Sequence, residues 1–195
     1  MIQEEWFWQM IQTITVAVTL GLIYWQIRVQ TASHVVQTLT TIHSRWNHEC
    51  MLRARLKVCS DWLAGNGGFD GVDEYVAEFM EELGHYVQIK AIPKKAMWEA
   101  QSWYIDHYFC MFRDGIRNVR QSLHDKNLYT RFEELYAAMV VINGREGSPA
   151  VTRADADLKR FAESEVQVTR AFLQLREEPN VGTERAAKVR SSDRK

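Results

Sequence analysis

Two regimes of hydrophobic patterning divide this chain. From Trp6 the sequence reads WFWQMIQTITVAVTLGLIYWQI and meets no charged residue until after position 27. That is about 20 residues, the length a bilayer's hydrocarbon core demands of a helix. Beyond it the apolar residues spread out and recur at three- and four-residue steps, the period of amphipathic helices. The pattern predicts an all-α protein. A single N-terminal transmembrane helix continues into a cytoplasmic helical bundle of about four helices, and a helical and partly disordered tail follows. The expected divisions are residues 1–5 outside the membrane and 6–27 within it. A cytoplasmic helical domain (28–143), an amphipathic tail helix (144–178) and a disordered basic tail (179–195) complete the chain.

The first segment carries the marks of a span. Trp6 and Trp8 open it and Tyr24 and Trp25 close it, matching the two aromatic belts of a membrane. Its polar residues are Gln9, Gln12, Thr13, Thr15 and Thr19. Threonine is tolerated in lipid because its hydroxyl bonds back to the preceding turn. Gln9 and Gln12 lie one turn apart on one face, so they are the candidates for association between copies of the span. A cleaved signal peptide would begin with basic residues, whereas this chain begins MIQEE. A buried soluble helix stays open as the other reading of a moderately apolar segment. Glu4 and Glu5 precede the segment; Arg28, Arg45, Arg53, Arg55 and Lys57 follow it. The positive-inside rule therefore puts the C-terminal side in the cytoplasm, in an inner-membrane protein whose N-terminus lies outside.

Residues 28–63 read as one long helix with no Pro or Gly to stop it. Val35, Leu39, Ile42 and Trp46 make one apolar run; Leu52, Leu56, Cys59 and Leu63 make another, shifted around the helix. Arg45, Arg53 and Arg55 form the solvated face. AGNGGFDG at 64–71 is a loop, and Asp70 is the N-cap of the next helix. That helix runs to about Lys90, with Val72, Tyr75, Val76, Phe79, Met80 and Leu83 facing inward and Glu78, Glu81 and Glu82 facing outward. The acidic face is expected to pair with the basic first helix. Pro93 opens an aromatic-rich helix that reaches about Leu123. Thr130 and Glu133 have capping-box spacing for a further helix, which Asn143 and Gly144 are expected to end. In the tail, Leu158, Phe161, Val168, Phe172 and Leu175 repeat at coiled-coil spacing, with Glu165 as an interruption.

Charge and composition narrow the chemistry. A net charge of −1 supplies no field for nucleic acid, so nucleic acid is not an expected partner. Cys50, Cys59 and Cys110 form no CxxC and read as free thiols of a reducing compartment. His43 and His48 stand at poor ligand spacing, no HExxH is present, and the glycine stretch lacks the lysine of a phosphate loop. No metal and no cofactor is expected. The one motif with catalytic character is RNVRQSLH at 117–124. Its Arg117 and His124 would lie two turns apart on one helical face, where Arg steadies a phosphorane and His moves protons. This arrangement resembles the signature of HEPN-type ribonucleases. The plainer reading of His124 is a complement to the helix dipole.

The order of segments is also similar to a bacterial family of small single-span membrane proteins of unknown function. The likeness rests on RWNHECMLRAR (45–55), FMEELGHYVQIKAIP (79–93), WYIDHYFCMFRDGIR (103–117) and FEELYAAM (132–139), and it covers roughly residues 5 to 140. A second resemblance is to the membrane accessory proteins of type VI-B CRISPR systems. It implies one span, a cytoplasmic helical domain and a degenerate Arg–His pair, in an assembly resembling a pore. The expected function is then non-enzymatic: a membrane-anchored helical protein acting by self-assembly or by contact with a partner, with membrane lipid, further copies of itself and a protein of a phage-defence system as partners. The alternative is a membrane-tethered HEPN-like ribonuclease using Arg117 and His124.

Overall fold

The computed structural model describes residues 2–66, 69–147 and 155–177. Among them there are six helices and no strand: α1 (Ile2–Trp46), α2 (Glu49–Leu63), α3 (Gly71–Gln88), α4 (Lys94–Leu123), α5 (Thr130–Glu146) and α6 (Asp155–Glu177). The protein is all-α, as the apolar spacing predicts. It divides into two compact units, Met1–Thr41 and Ile42–Lys195. The acidic residues at the N-terminus and the basic tail from 179 fall outside the described side chains.

In the first unit, α1 presents apolar side chains outward at every turn, and no part of its most apolar window is buried. Over Trp6–Trp46 it is long and apolar enough to cross a membrane, with a mean hydropathy of 1.4 in that window. The threonine hydroxyls are satisfied within the helix. Thr13, Thr15 and Thr19 donate to the carbonyls of Gln9, Ile11 and Thr15 at 2.8, 2.9 and 2.8 Å. That removes the main cost of placing a hydroxyl in an apolar medium.

The second unit is a bundle of α2 to α6 with the last turn of α1. The expected continuous helix over 28–63 is interrupted at Asn47 and His48. His48 is extended (φ −67°, ψ 147°), and its ring accepts from the Cys50 N–H at 3.4 Å, so α2 starts afresh at Glu49. Arg176 of α6 donates to the Asn47 carbonyl freed by this break, at 2.9 Å. The side-chain cap does the work that no Gly or Pro is present to do.

The Asp70 cap forms as the sequence predicts. Its carboxylate accepts from Val72 N–H at 3.1 Å, and Asp73 accepts from Asp70 N–H at 3.2 Å. At α5 the expected capping box is absent. Thr130 donates to the Asn127 carbonyl and Glu133 pairs with Arg120. The cap comes from another helix: Glu81 of α3 accepts the Phe132 N–H at 2.7 Å, so Glu81 is not one of the outward carboxylates. The helix also runs past Asn143 and Gly144. Gly147 takes the left-handed terminal position instead (φ 68°) and donates to the Asn143 carbonyl.

Helix α5 lies across α3 and α4, while α6 lies mainly along α2 and touches α4. The α3–α5 approach is very close at Gly84, where a Cβ would come within 2.3 Å of the Arg131 carbonyl oxygen. Tyr108, Met80, Leu83, Phe132 and Leu135 fill the centre with at most 2% exposure. Each apolar side chain so buried contributes roughly 1.5–3 kcal/mol. The α6 packing face differs from the expected seam. Leu158, Phe161, Ala162, Glu165, Val166, Thr169 and Leu173 are buried, whereas Val168, Phe172 and Leu175 are exposed. Glu165 is part of the packing face and not an interruption of it.

Candidate functional site

The reason Glu165 can be buried is Arg55. Sequence patterning puts Arg55 on a solvated face, yet it is 2% exposed. Its Nε donates to the Glu165 carboxylate at 2.5 Å, and a second guanidinium nitrogen also reaches that oxygen. Its Nη1 donates to the Trp46 carbonyl at 3.1 Å. The guanidinium lies 4.1 Å from the Trp46 ring centroid and 5.3 Å from that of Tyr104. Tyr108 donates to Glu165 at 3.3 Å, and the Thr169 hydroxyl donates to the Glu165 carbonyl at 2.6 Å. Opposite charges that are also hydrogen-bonded offset the desolvation that would otherwise exclude them. Burial pushes the neighbouring Cys59 thiol up to about 12, so it stays protonated and unreactive. This cluster is closed to solvent and joins helices; it offers no reacting atom to a substrate.

A second polar bridge joins α4 to α5. Trp98 Nε1 donates to Asn143 Oδ1 at 2.6 Å, and Asn143 Nδ2 donates to Asp106 Oδ2 at 2.7 Å. Asn143 is therefore a buried crosslink rather than a helix end. Asp106 is 3% exposed and its Oδ1 has no partner among the described residues. Burial pushes its carboxyl up to about 6, and the Asn143 hydrogen bond opposes this only in part. Next to it, His107 Nδ1 donates to the Trp103 carbonyl at 2.7 Å, and its ring stacks on Phe161 with centroids 4.4 Å apart. Burial pulls this histidine below its ordinary value, so it packs as a neutral aromatic ring.

The predicted Arg–His pair falls at the exposed end of α4. Arg117 donates to Asp114 at 3.3 Å. His124 lies beyond the last helical residue as a left-handed C-cap (φ 53°, ψ 27°) and is exposed. Its departure from helical geometry takes it off the regular face that the two-turn spacing assumes. No hydrogen bond or ion pair joins the two, and His124 forms none among the described residues. Gln9 and Gln12 share a face of α1 and, with Thr13 and Val16, border a shallow concavity.

The expected pairing of acidic α3 with the basic first helix is made by Arg45 and Glu82. Arg45 donates to Glu82 at 2.6 Å, and Tyr86 donates to the same oxygen at 2.6 Å. The hydrogen bond from Arg45 holds the Glu82 carboxyl below the usual carboxylate range. Cys50, Cys59 and Cys110 are not joined to one another by a disulfide, and among the described residues no three His, Cys, Asp or Glu side chains gather to hold a metal. Sequence reasoning missed the buried pair and the Asp106–Asn143 bridge. Their one available signal was a charged or amide residue standing at an apolar position of the helical repeat. Comparison with known proteins gives no match: no protein-family model, no curated protein and no solved structure is similar to this chain.

Proposed function

We propose that this chain is a single-span membrane protein that acts by self-assembly or partner contact and catalyses no reaction. The observation that carries the reading is the outward apolar surface of α1, none of whose most apolar window is buried among the described residues. An apolar patch of that size on a soluble monomer would drive aggregation, and a bilayer is the medium that solvates it. The flanking charges favour an N-terminus outside and a cytoplasmic domain, and hence the inner membrane. Gln9 and Gln12 are the side chains through which copies of the span associate, since buried amides in lipid seek each other. A role beside a phage-defence effector rests on the sequence resemblance to CRISPR accessory proteins.

The test has two parts. Full-length protein is expected to stay with membranes through an alkaline carbonate wash. In mild detergent it is expected to run as a discrete oligomer, and Gln9→Leu with Gln12→Leu should shift it toward monomer. Protein that washes off the membrane, or that is monodisperse and monomeric at all concentrations, would falsify the proposal. The ribonuclease reading needs Arg117 and His124 to converge on one phosphate, which the left-handed turn at His124 disfavours. RNA cleavage by the purified protein that disappears in His124→Ala would restore it.

A further inference from the structure

Three arginines on one face of α4 surround a small cavity whose purpose neither anchoring nor assembly explains. Arg113, Arg117 and Arg120 recur at i, i+4 and i+7, and with Phe109, Ile116 and Glu133 they line a space of about 90 Å³ between α4 and α5. Like charges at such spacings repel one another on a helix. Their neutralisation is incomplete. Glu133 is already committed to Arg120 at 2.8 Å, and the Asp114 side chain on Arg117 is 85% exposed at 3.3 Å. Arg113 makes no hydrogen bond or ion pair among the described residues. Arg120 spends its Nε on the Leu128 carbonyl at 2.7 Å and its Nη1 on Glu133, which leaves Nη2 buried and unpartnered. A buried cationic N–H without an acceptor is costly.

We propose that this cavity binds a single phosphoryl group carried by a small molecule. Planar guanidinium forks match the spacing of phosphate oxygens, and three arginines line this cavity. The volume equals the share of about three waters at ~30 Å³ each. That admits one tetrahedral oxyanion and leaves the body of the ligand outside. Phe109 and Ile116 are 6% and 3% exposed, so they form a dry wall that strengthens the charge interaction. Glu133 in the lining and Asp114 on Arg117, with a net chain charge of −1, disfavour an extended polyanion, which selects a small phosphorylated compound over a nucleic acid strand. His124 does not line the cavity and takes no part. The inference is independent of how the protein meets the membrane.

The experiment is calorimetric titration of full-length protein in non-ionic detergent with inorganic phosphate, at ionic strength held constant with chloride. Saturable binding of one phosphate per chain is expected. Arg113→Gln and Arg117→Gln should each weaken it roughly tenfold, the loss of a hydrogen bond to a charged group. His124→Ala should leave the affinity unchanged. Melting of the two arginine variants without phosphate should match the parent, which separates lost binding from lost folding; Arg120 is spared because it holds Leu128 and Glu133. The proposal is overturned by absence of saturable binding, by unchanged affinity in both arginine variants, or by a tenfold loss in His124→Ala. A single-stranded oligoribonucleotide that binds where inorganic phosphate does not, and loses that binding in both arginine variants, would also overturn it.

Discussion

Two glycines inside helices make opposite demands on a side chain. At Gly84 a Cβ would collide with the Arg131 carbonyl at 2.3 Å, backbone that cannot step aside. Gly84→Ala is therefore expected to cost about 1–3 kcal/mol by forcing α3 and α5 apart, read from a urea denaturation curve. Gly144 has open space around it and no positive φ. Gly144→Ala should stabilise by up to about 1 kcal/mol through helix propensity alone. A glycine acting as the terminal cap, the role its sequence neighbourhood suggests, would respond in the opposite direction. Asp106 supplies a residue-level pH dependence. Its carboxyl rises from the ordinary 3.8 to about 6, so the folded state holds the proton more tightly than the unfolded chain. Its contribution is fully present below pH 4, is lost as pH climbs through about 6, and is flat above. Asp106→Asn retains an acceptor for Asn143 and cannot ionise. The variant should gain stability over the parent at pH 8, on the order of 2 kcal/mol, and little at pH 4. Thermal melts at the two pH values check this. Asp73, also raised to about 6 by desolvation, keeps its own share of the slope in both proteins.

Helix α6 shows how much a charged contact governs the docking of an element. Glu165→Gln leaves Arg55 buried without its counter-charge and is expected to destabilise by about 3–5 kcal/mol. Arg55→Met together with Glu165→Leu removes both charges and should recover most of that loss or exceed the parent. Melting temperatures of the single and double variants decide it; equal losses in both would show that the pair acts through shape alone. The same helix marks the boundary of what patterning reveals. Its existence, the Asp70 cap of α3 and the reach of α4 from Pro93 to Leu123 follow from local chemistry, and so they were legible. The face that α6 buries was not, because helical periodicity assigns every charge to solvent and cannot see a partner 110 positions away. The α1–α2 break was hidden for a related reason. His48 is an unusual N-cap, and its flanks lack the Gly or Pro that signals an interruption. Asn143 and Gly144 resemble a helix end, yet Trp98 and Asp106 claim the Asn143 side chain and the turn moves on to Gly147. Of the predicted Arg–His pair, the spacing was legible but not the left-handed turn that removes His124 from the α4 face.

For the molecule as a whole, the two units make different demands on solvent. The core of the second unit is built from its own residues, from Ile42 through Leu173. Residues 42–195 expressed alone are expected to be soluble without detergent and to melt cooperatively, whereas the full chain should require detergent; circular dichroism on both fractions tests this. An insoluble or molten 42–195 fragment would show that the first unit supports the fold. The long separation between Arg55 and Glu165 also bears on synthesis. At about 5–20 residues per second, a ribosome delivers Glu165 roughly 5–20 s after Arg55. Throughout that interval the nascent bundle holds a cation whose buried counter-charge has not yet been made. Premature termination before α6 would leave that charge stranded in the interior, so a quality-control protease could tell truncated copies from finished ones by their failure to close.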